Sequence, residues 1–146
     1  MCLGVATPAS ALSCLPADAV RSYKEAAASE EAYRVISGSI SLLARPDGPL
    51  RQSVALPGVV TGAILGAGGF AGELSFPVTV QVNCFGPWCG AVPEEGAALV
   101  FVQETPEGLV LISEPCPQWY FASPQAGISD KIEACHVTGE CVETPF

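Results

Sequence analysis

The cysteines are the side chains of this sequence that could do the most varied chemistry. A thiolate can bind a metal, exchange disulfides, or join a second cysteine as a structural crosslink. Cys84 and Cys89 have the spacing of half a zinc site. Cys135 and Cys141 are more widely spaced, and the only histidine, His136, lies between them. Neither pair has the C-x-x-C spacing of a redox-active dithiol. We therefore predict structural disulfides and no metal or other cofactor.

The N-terminal segment has the composition of a targeting sequence. Residues 1–13 are small and mostly apolar, and Ala9-Ser10-Ala11 matches the A-x-A pattern that precedes signal cleavage. We predict that 1–13 is a signal-peptide remnant or a flexible N-terminus, and that 14–146 is a single disulfide-linked domain. Of the seven cysteines, Cys2 falls in that segment, which leaves an even number for pairing. An even set is typical of an oxidising compartment, so we predict a periplasmic or extracellular protein.

Charge and hydropathy narrow the classes of partner. The chain has 15 acidic and 6 basic residues and a net charge of −9. Such a field repels phosphate backbones, so we expect no nucleic-acid binding. The longest apolar stretch, residues 53–72, is broken by Pro57 and six glycines, so it lacks the roughly 18 uninterrupted apolar residues of a membrane span. The chain is predicted not to span a membrane, and its partner is expected to be another protein of unknown identity.

Catalytic motifs are few. The sequence has no G-x-S-x-G elbow, no H-E-x-x-H and no P-loop lysine. Residues 66–71 match part of a dinucleotide-binding fingerprint, but that motif requires a helix to follow, and an alternating strand pattern follows instead. These glycines are predicted to connect two strands. We predict that the protein is not an enzyme; the alternative is a small hydrolase that uses His136 with nearby carboxylates.

Hydrophobic periodicity predicts a mainly β domain. Leu74, Phe76, Val78, Val80 and Val82 alternate with mostly polar residues and mark the clearest strand. The other predicted elements are a helix at 17–29, a strand at 32–44 with a bulge at Gly38, a strand at 58–65, a hairpin at 97–114, a short helix at 125–134 and a loop from Cys135 to Cys141. About five strands with many turns favour a small closed or partly closed barrel.

Aromatic residues give the candidate binding surface. Trp88 and Trp119 are each close in sequence to a cysteine, and packing on disulfides is one interpretation. In the other interpretation they form an exposed aromatic platform with Tyr120 and Phe121. We name these four residues as the candidate surface for a protein partner.

The order of these features resembles the netrin-like module, the barrel shared by tissue inhibitors of metalloproteinases and many secreted proteins. The matching elements are Cys14 before a helix, AYRVISGSI as a first barrel strand, PVTVQVNCFGPWCGAVPEEGAALVFV, and EGLVLISEPC as a last strand that ends in cysteine. The similarity covers about residues 14–121. It implies a five-stranded OB-like barrel with one or two short flanking helices, closest to uncharacterised bacterial secreted relatives, and it supplies no activity.

The resemblance implies a second functional hypothesis at the N-terminus. Metalloproteinase inhibitors of this family begin with Cys-x-Cys, whose free amine and carbonyl chelate the catalytic zinc. Here a single cysteine occurs, in Ser13-Cys14-Leu15-Pro16, and cleavage after Ser13 would expose its amine. Lipidation of Cys14 is another alternative. We predict a secreted or periplasmic binding module, with a metalloprotease inhibitor acting through the Cys14 end as the alternative.

The disulfide pairing has one favoured solution and one main competitor. Cys135 and Cys141 are close in sequence with Gly139 between them, and Cys84 and Cys89 flank a Gly-Pro corner. Pairing both locally leaves Cys14 with Cys116, which agrees with the link that the resemblance implies. The competitor joins Cys14 to Cys89 and Cys84 to Cys116, because the Cys-Gly cysteine in that family also bonds to the N-terminus.

Overall fold

The computed structural model describes residues 12–143, so Cys2 and most of the predicted signal remnant lie outside the described residues. This part of the chain is mainly β. Its elements are α1 (Ala19–Ala28), β1 (Tyr33–Leu42), β2 (Val54–Gly66), β3 (Gly69–Val82), β4 (Cys84–Phe85), β5 (Trp88–Cys89), β6 (Gly96–Thr105), β7 (Gly108–Ser113), β8 (Tyr120–Ala122) and α2 (Ile128–Thr138). The predicted first helix, the strands at 32–44, 58–65 and 74–82, and the 97–114 hairpin are confirmed.

Five strands pair into a ring in the order β1-β2-β3-β7-β6, and β6 pairs back to β1. The β3–β7 pairing is parallel, and the other pairings of the ring are antiparallel. β4 and β5 form a separate two-stranded hairpin. The core lies inside the ring, where Val78, Val80 and Val82 of β3 are buried, as their alternation predicts. Leu74 extends beyond this core and is 54% exposed.

The bulge predicted at Gly38 is wrong. β1 pairs without interruption on both sides, and Gly38 lies directly opposite Gly62. A Cβ atom at Gly38 would collide with the carbonyl oxygen of Thr61, so the two strands approach closely because both positions are glycine. The register shift occurs instead between β2 and β3, beside Gly72, whose φ is +72°.

The two helices pack together against one side of the ring. α1 is capped by Asp18, whose carboxylate accepts hydrogen bonds from the backbone N–H groups of Val20 (2.9 Å) and Arg21 (3.0 Å). α2 begins and ends later than predicted, so Cys135 and His136 are helical rather than part of a loop. It stops at Gly139, whose φ of +80° suits a glycine at the end of a helix.

Three disulfides connect Cys14 with Cys116, Cys84 with Cys89, and Cys135 with Cys141, and these are the favoured pairs of the sequence analysis. The first joins the segment before α1 to the loop after β7, across a sequence separation of 102. The second closes the β4–β5 hairpin, and the third ties α2 to the C-terminal segment. The long link therefore fixes the loop between β7 and β8 to the N-terminal side of the domain.

Candidate binding cleft

One edge of β6 has two successive partners, and this creates a cleft. β7 pairs with β6 only as far as Val110, opposite Gln103, and then continues in parallel with β3. β8 occupies the part of the β6 edge that β7 has left, where Leu99 lies opposite Phe121. β7 and β8 therefore diverge, and the space between them is open.

The cleft has a volume of about 590 Å³, which is in the range of ordinary ligand pockets. Ile112 of β7 and Tyr120 of β8 line opposite sides, and Pro115 and Pro117 line the connecting loop. The remaining lining residues are Ala17, Cys89, Ala91, Ser113, Glu114, Gln118, Phe121, Ala122, Ser123, Pro124 and Gln125. The walls are thus mostly apolar, and among the residues from 12 to 143 only Glu114 contributes a carboxylate to them. An apolar cleft with a few polar groups is typical of a binding site.

Tyr120 supplies the largest side chain of the cleft. Burial is the largest effect on its hydroxyl and raises the pKa from 10.0. A hydrogen bond with the Glu94 backbone and the positive charge of Arg45 lower this pKa, whereas the Glu94 carboxylate raises it. Arg45 donates a hydrogen bond from Nη2 to the carbonyl oxygen of Pro93 (2.6 Å), which fixes the neighbouring 93–94 segment. Because the net pKa shift is upward, Tyr120 is neutral at physiological pH.

The structure does not bring the four predicted aromatic residues onto one surface. Trp119 is 9% exposed and stacks on Tyr33, with the ring centroids 4.7 Å apart. Phe121 is 7% exposed and packs against Phe101. Because successive residues of a strand point to opposite faces, β8 turns Trp119 and Phe121 toward the core and Tyr120 away from it. The prediction of an exposed platform is therefore wrong for Trp119 and Phe121.

Trp88 lies apart from these residues, on the β4–β5 hairpin, where it pairs with Phe85 beside the Cys84–Cys89 disulfide. Its side chain is 37% exposed, and that of Phe85 is 72% exposed. Cys89 also lines the cleft. The hairpin therefore carries two accessible aromatic rings at the border of the candidate site.

His136 lies on the exposed surface of α2, outside the cleft. Its Nδ1 is 2.7 Å from the hydroxyl oxygen of Tyr23, and the two rings meet edge to face. Burial raises the pKa of the Tyr23 hydroxyl, so this hydroxyl stays protonated and donates a hydrogen bond to Nδ1 when that nitrogen carries no proton. The pair connects α1 to α2. Within residues 12–143, no group of three or more His, Cys, Asp or Glu residues is placed to hold a metal ion.

The Cys14 end lies beside the cleft and has a different character. Leu15 is 78% exposed, and the disulfide to Cys116 anchors the residue that precedes it. Arg21 of α1 donates a hydrogen bond from Nη1 to the carbonyl oxygen of Pro16 (3.1 Å). A second, smaller groove of about 370 Å³ runs along this segment and shares Ala17, Pro117 and Gln118 with the cleft. The exposed N-terminal segment and the cleft are therefore contiguous.

Ile112 and the three prolines of the cleft were not identified from the sequence. The available signal was the occurrence of Pro115, Pro117 and Pro124 on both sides of a three-residue strand, since proline cannot continue a sheet ladder. That pattern marks loops that leave the sheet. It does not reveal which strand edge they leave open.

Comparison with protein-family models, with curated proteins and with solved structures finds no match to this chain. The resemblance to the netrin-like module thus stays a prediction. Across the part of the chain that the structure describes, neither helix has the length and apolar character needed to cross a membrane.

Proposed function

We propose that this protein is a secreted or periplasmic binding module that holds a protein partner in the cleft between β7 and β8. The observation that carries the proposal is the divergence of these strands, which leaves an apolar cleft of about 590 Å³ beside a disulfide-anchored loop. A cleft whose loop is fixed covalently is already formed before binding, and preorganisation reduces the entropic cost of association. The three disulfides support the proposed compartment.

The fold proposed for this module is an OB-like barrel of the netrin-like type. The ring of five paired strands supports it, as does the disulfide that links the segment before α1 to the loop that follows the last ring strand. The two helices agree with the flanking helices that the resemblance implies.

Selection from a displayed library of random heptapeptides tests the function. We expect peptides that bind the wild-type protein but not Ala122→Trp, because Ala122 is exposed and lines the cleft, so that an indole there fills it. Ala55→Trp is the matched control, since Ala55 is an exposed strand alanine outside the cleft. Failure to enrich any peptide, or equal binding to Ala122→Trp, would contradict the proposal.

A second function, inhibition of a metalloprotease through the Cys14 end, is favoured by one observation. Leu15 is 78% exposed directly after the anchored Cys14, and could therefore enter an apolar specificity pocket. The test compares a chain that begins at Cys14 with one that begins at Ser13, against a zinc endopeptidase of the thermolysin type. Inhibition by the first chain and not by the second would support this function, because only the first has a free amine on Cys14. Equal effects of the two chains would exclude that mechanism.

A further inference from the structure

The backbone of β8 presents unused hydrogen-bonding groups to the cleft. Trp119 and Ser123 are hydrogen-bonded to β6, each with an N···O distance of 2.9 Å. In an antiparallel pair, alternate residues turn their N–H and C=O groups to the same side. The corresponding groups of Tyr120 and Ala122 therefore face away from β6 and toward the cleft, which both residues line. Within the described residues, β8 thus has a free edge two residues long.

The opposite side of the cleft, formed by β7, also presents unpaired backbone groups. The N–H of Asn83 donates to the carbonyl oxygen of Ser113 (2.9 Å), so Ser113 turns its backbone groups toward β3. Ile112, its neighbour in β7, turns its own groups the other way, toward β8. Among residues 12–143, no backbone hydrogen bond joins Ile112 to Tyr120 or Ala122. Two strand edges therefore face each other without being paired.

The chemistry of the walls limits what can fill this space. Ile112, Pro115 and Pro124 favour apolar side chains. Glu114 adds a negative charge, and none of the six lysines and arginines of the chain lines the cleft. The protein as a whole has a net charge of −9, so its field attracts a basic partner.

We propose that the cleft binds an extended, apolar protein segment that carries a basic residue, and that this segment adds as a strand to the free edge of β8. Main-chain hydrogen bonds to Tyr120 and Ala122 provide affinity, and the apolar walls and Glu114 select the side chains. The inference rests on the proposed function, since it specifies how the partner is held in the same cleft.

The probes for the test are acetylated heptapeptide amides of alternating valine and threonine with a central lysine. A second series has a central glutamate, and a third is the lysine peptide N-methylated at alternate backbone amides. Calorimetric titration against the full chain should show the lysine peptide binding about tenfold more tightly than the glutamate peptide. N-methylation on the edge that faces β8 should weaken binding about tenfold or more, because it removes backbone donors.

A pair of variants tests the same edge on the protein. Ala122→Pro removes an N–H that faces the cleft and no bond to β6, so we expect about tenfold weaker binding of the lysine peptide. Ala122→Val is the comparison variant: it keeps the N–H and suits a strand, so it should weaken binding of the lysine peptide less than Ala122→Pro does. If Ala122→Pro proves to be unfolded by circular dichroism, the N-methylated peptide decides the question.

Three results would overturn strand addition. The first is equal affinity for the N-methylated and unmodified peptides, and the second is no binding of any of the three probe peptides. The third is a wild-type dimer in sedimentation velocity that Ala122→Pro makes monomeric, because it would assign the cleft to a second copy of this chain. The first result leaves the proposed function intact, since peptides still bind in the cleft. After the second result, the display selection with Ala122→Trp decides separately whether the proposed function fails.

Discussion

Gly38 of β1 and Gly62 of β2 lie directly opposite each other, and neither position has room for a Cβ atom. We therefore predict that Gly38→Ala lowers the free energy of unfolding by about 1–3 kcal/mol, the usual cost of forcing extra atoms into a packed contact. Urea denaturation measures the loss. Gly48→Ala is the matched control, because nothing lies within 4 Å of its added Cβ. An equally small effect of both substitutions would contradict the close approach of the two strands.

The connectivity of the six described cysteines can be mapped chemically. We expect non-reduced peptide mapping to yield the pairs Cys14–Cys116, Cys84–Cys89 and Cys135–Cys141, as in the structure. Thiol labelling under denaturing, non-reducing conditions should modify Cys2 alone. A fragment that joins residue 14 to residue 89 would establish the competing pairing, and labelling of two or more thiols would refute the disulfide framework.

The long disulfide should contribute more to stability than the short one in β4–β5. In the chain-entropy relation, a crosslink that closes a loop of about 100 residues stabilises by about 4–5 kcal/mol, and one that closes about six residues by about 2 kcal/mol. The double variant Cys14→Ser/Cys116→Ser should therefore unfold at a lower urea concentration than Cys84→Ser/Cys89→Ser. Equal midpoints for the two double variants would show that loop entropy does not govern these crosslinks.

All three tyrosines of the chain have a raised pKa, and burial is the first cause for each. Their hydroxyls ionise near 10.0 in the unfolded chain and at higher pH in the folded one. The resulting stability is fully present below pH 10.0 and is lost as the pH rises through the folded pKa values. We expect the tyrosinate absorbance of the native protein to have its midpoint above pH 10.0, and Tyr120→Phe to reduce the alkaline loss of stability. A native titration midpoint at or below 10.0 would disagree with the burial of these rings.

Local pattern was sufficient to predict most of the secondary structure. The alternation from Leu74 to Val82 reports burial on one face, and this signal is contained within the strand itself. The predicted end of α2 is too early because the sequence from Cys135 to Thr138 is a weak helix former, and Gly139, which stops the helix, lies in the middle of the loop predicted from Cys135 to Cys141. The Gly38–Gly62 contact joins two strands, so it cannot be predicted from the sequence of either strand alone.

The cleft could not be predicted for a related reason. It exists because β7 pairs with one part of a β6 edge and β8 pairs with the next part of the same edge. The boundary between the two parts depends on the residue at which β7 leaves β6 to pair with β3. The aromatic cluster at 119–121 is predicted from the sequence to lie on one surface, but the direction of each ring follows from the register of β8. That register is set by long-range pairing with β6. Only Tyr120 of that cluster has a side chain turned away from the core.

The Cys14–Cys116 bond has a mechanical consequence. A load applied between residue 14 and the C-terminal helix passes directly from residue 14 to residue 116 through this covalent link, so the chain between them, which contains all five ring strands, cannot be extended. Among the elements of residues 12–143, only β8 and α2 lie in the path of the load, and the chain from 117 to 135 spans at most about 65 Å when fully extended. The cleft would then be the first structure to open under tension, because β8 is one of its walls, while the ring behind it stays folded.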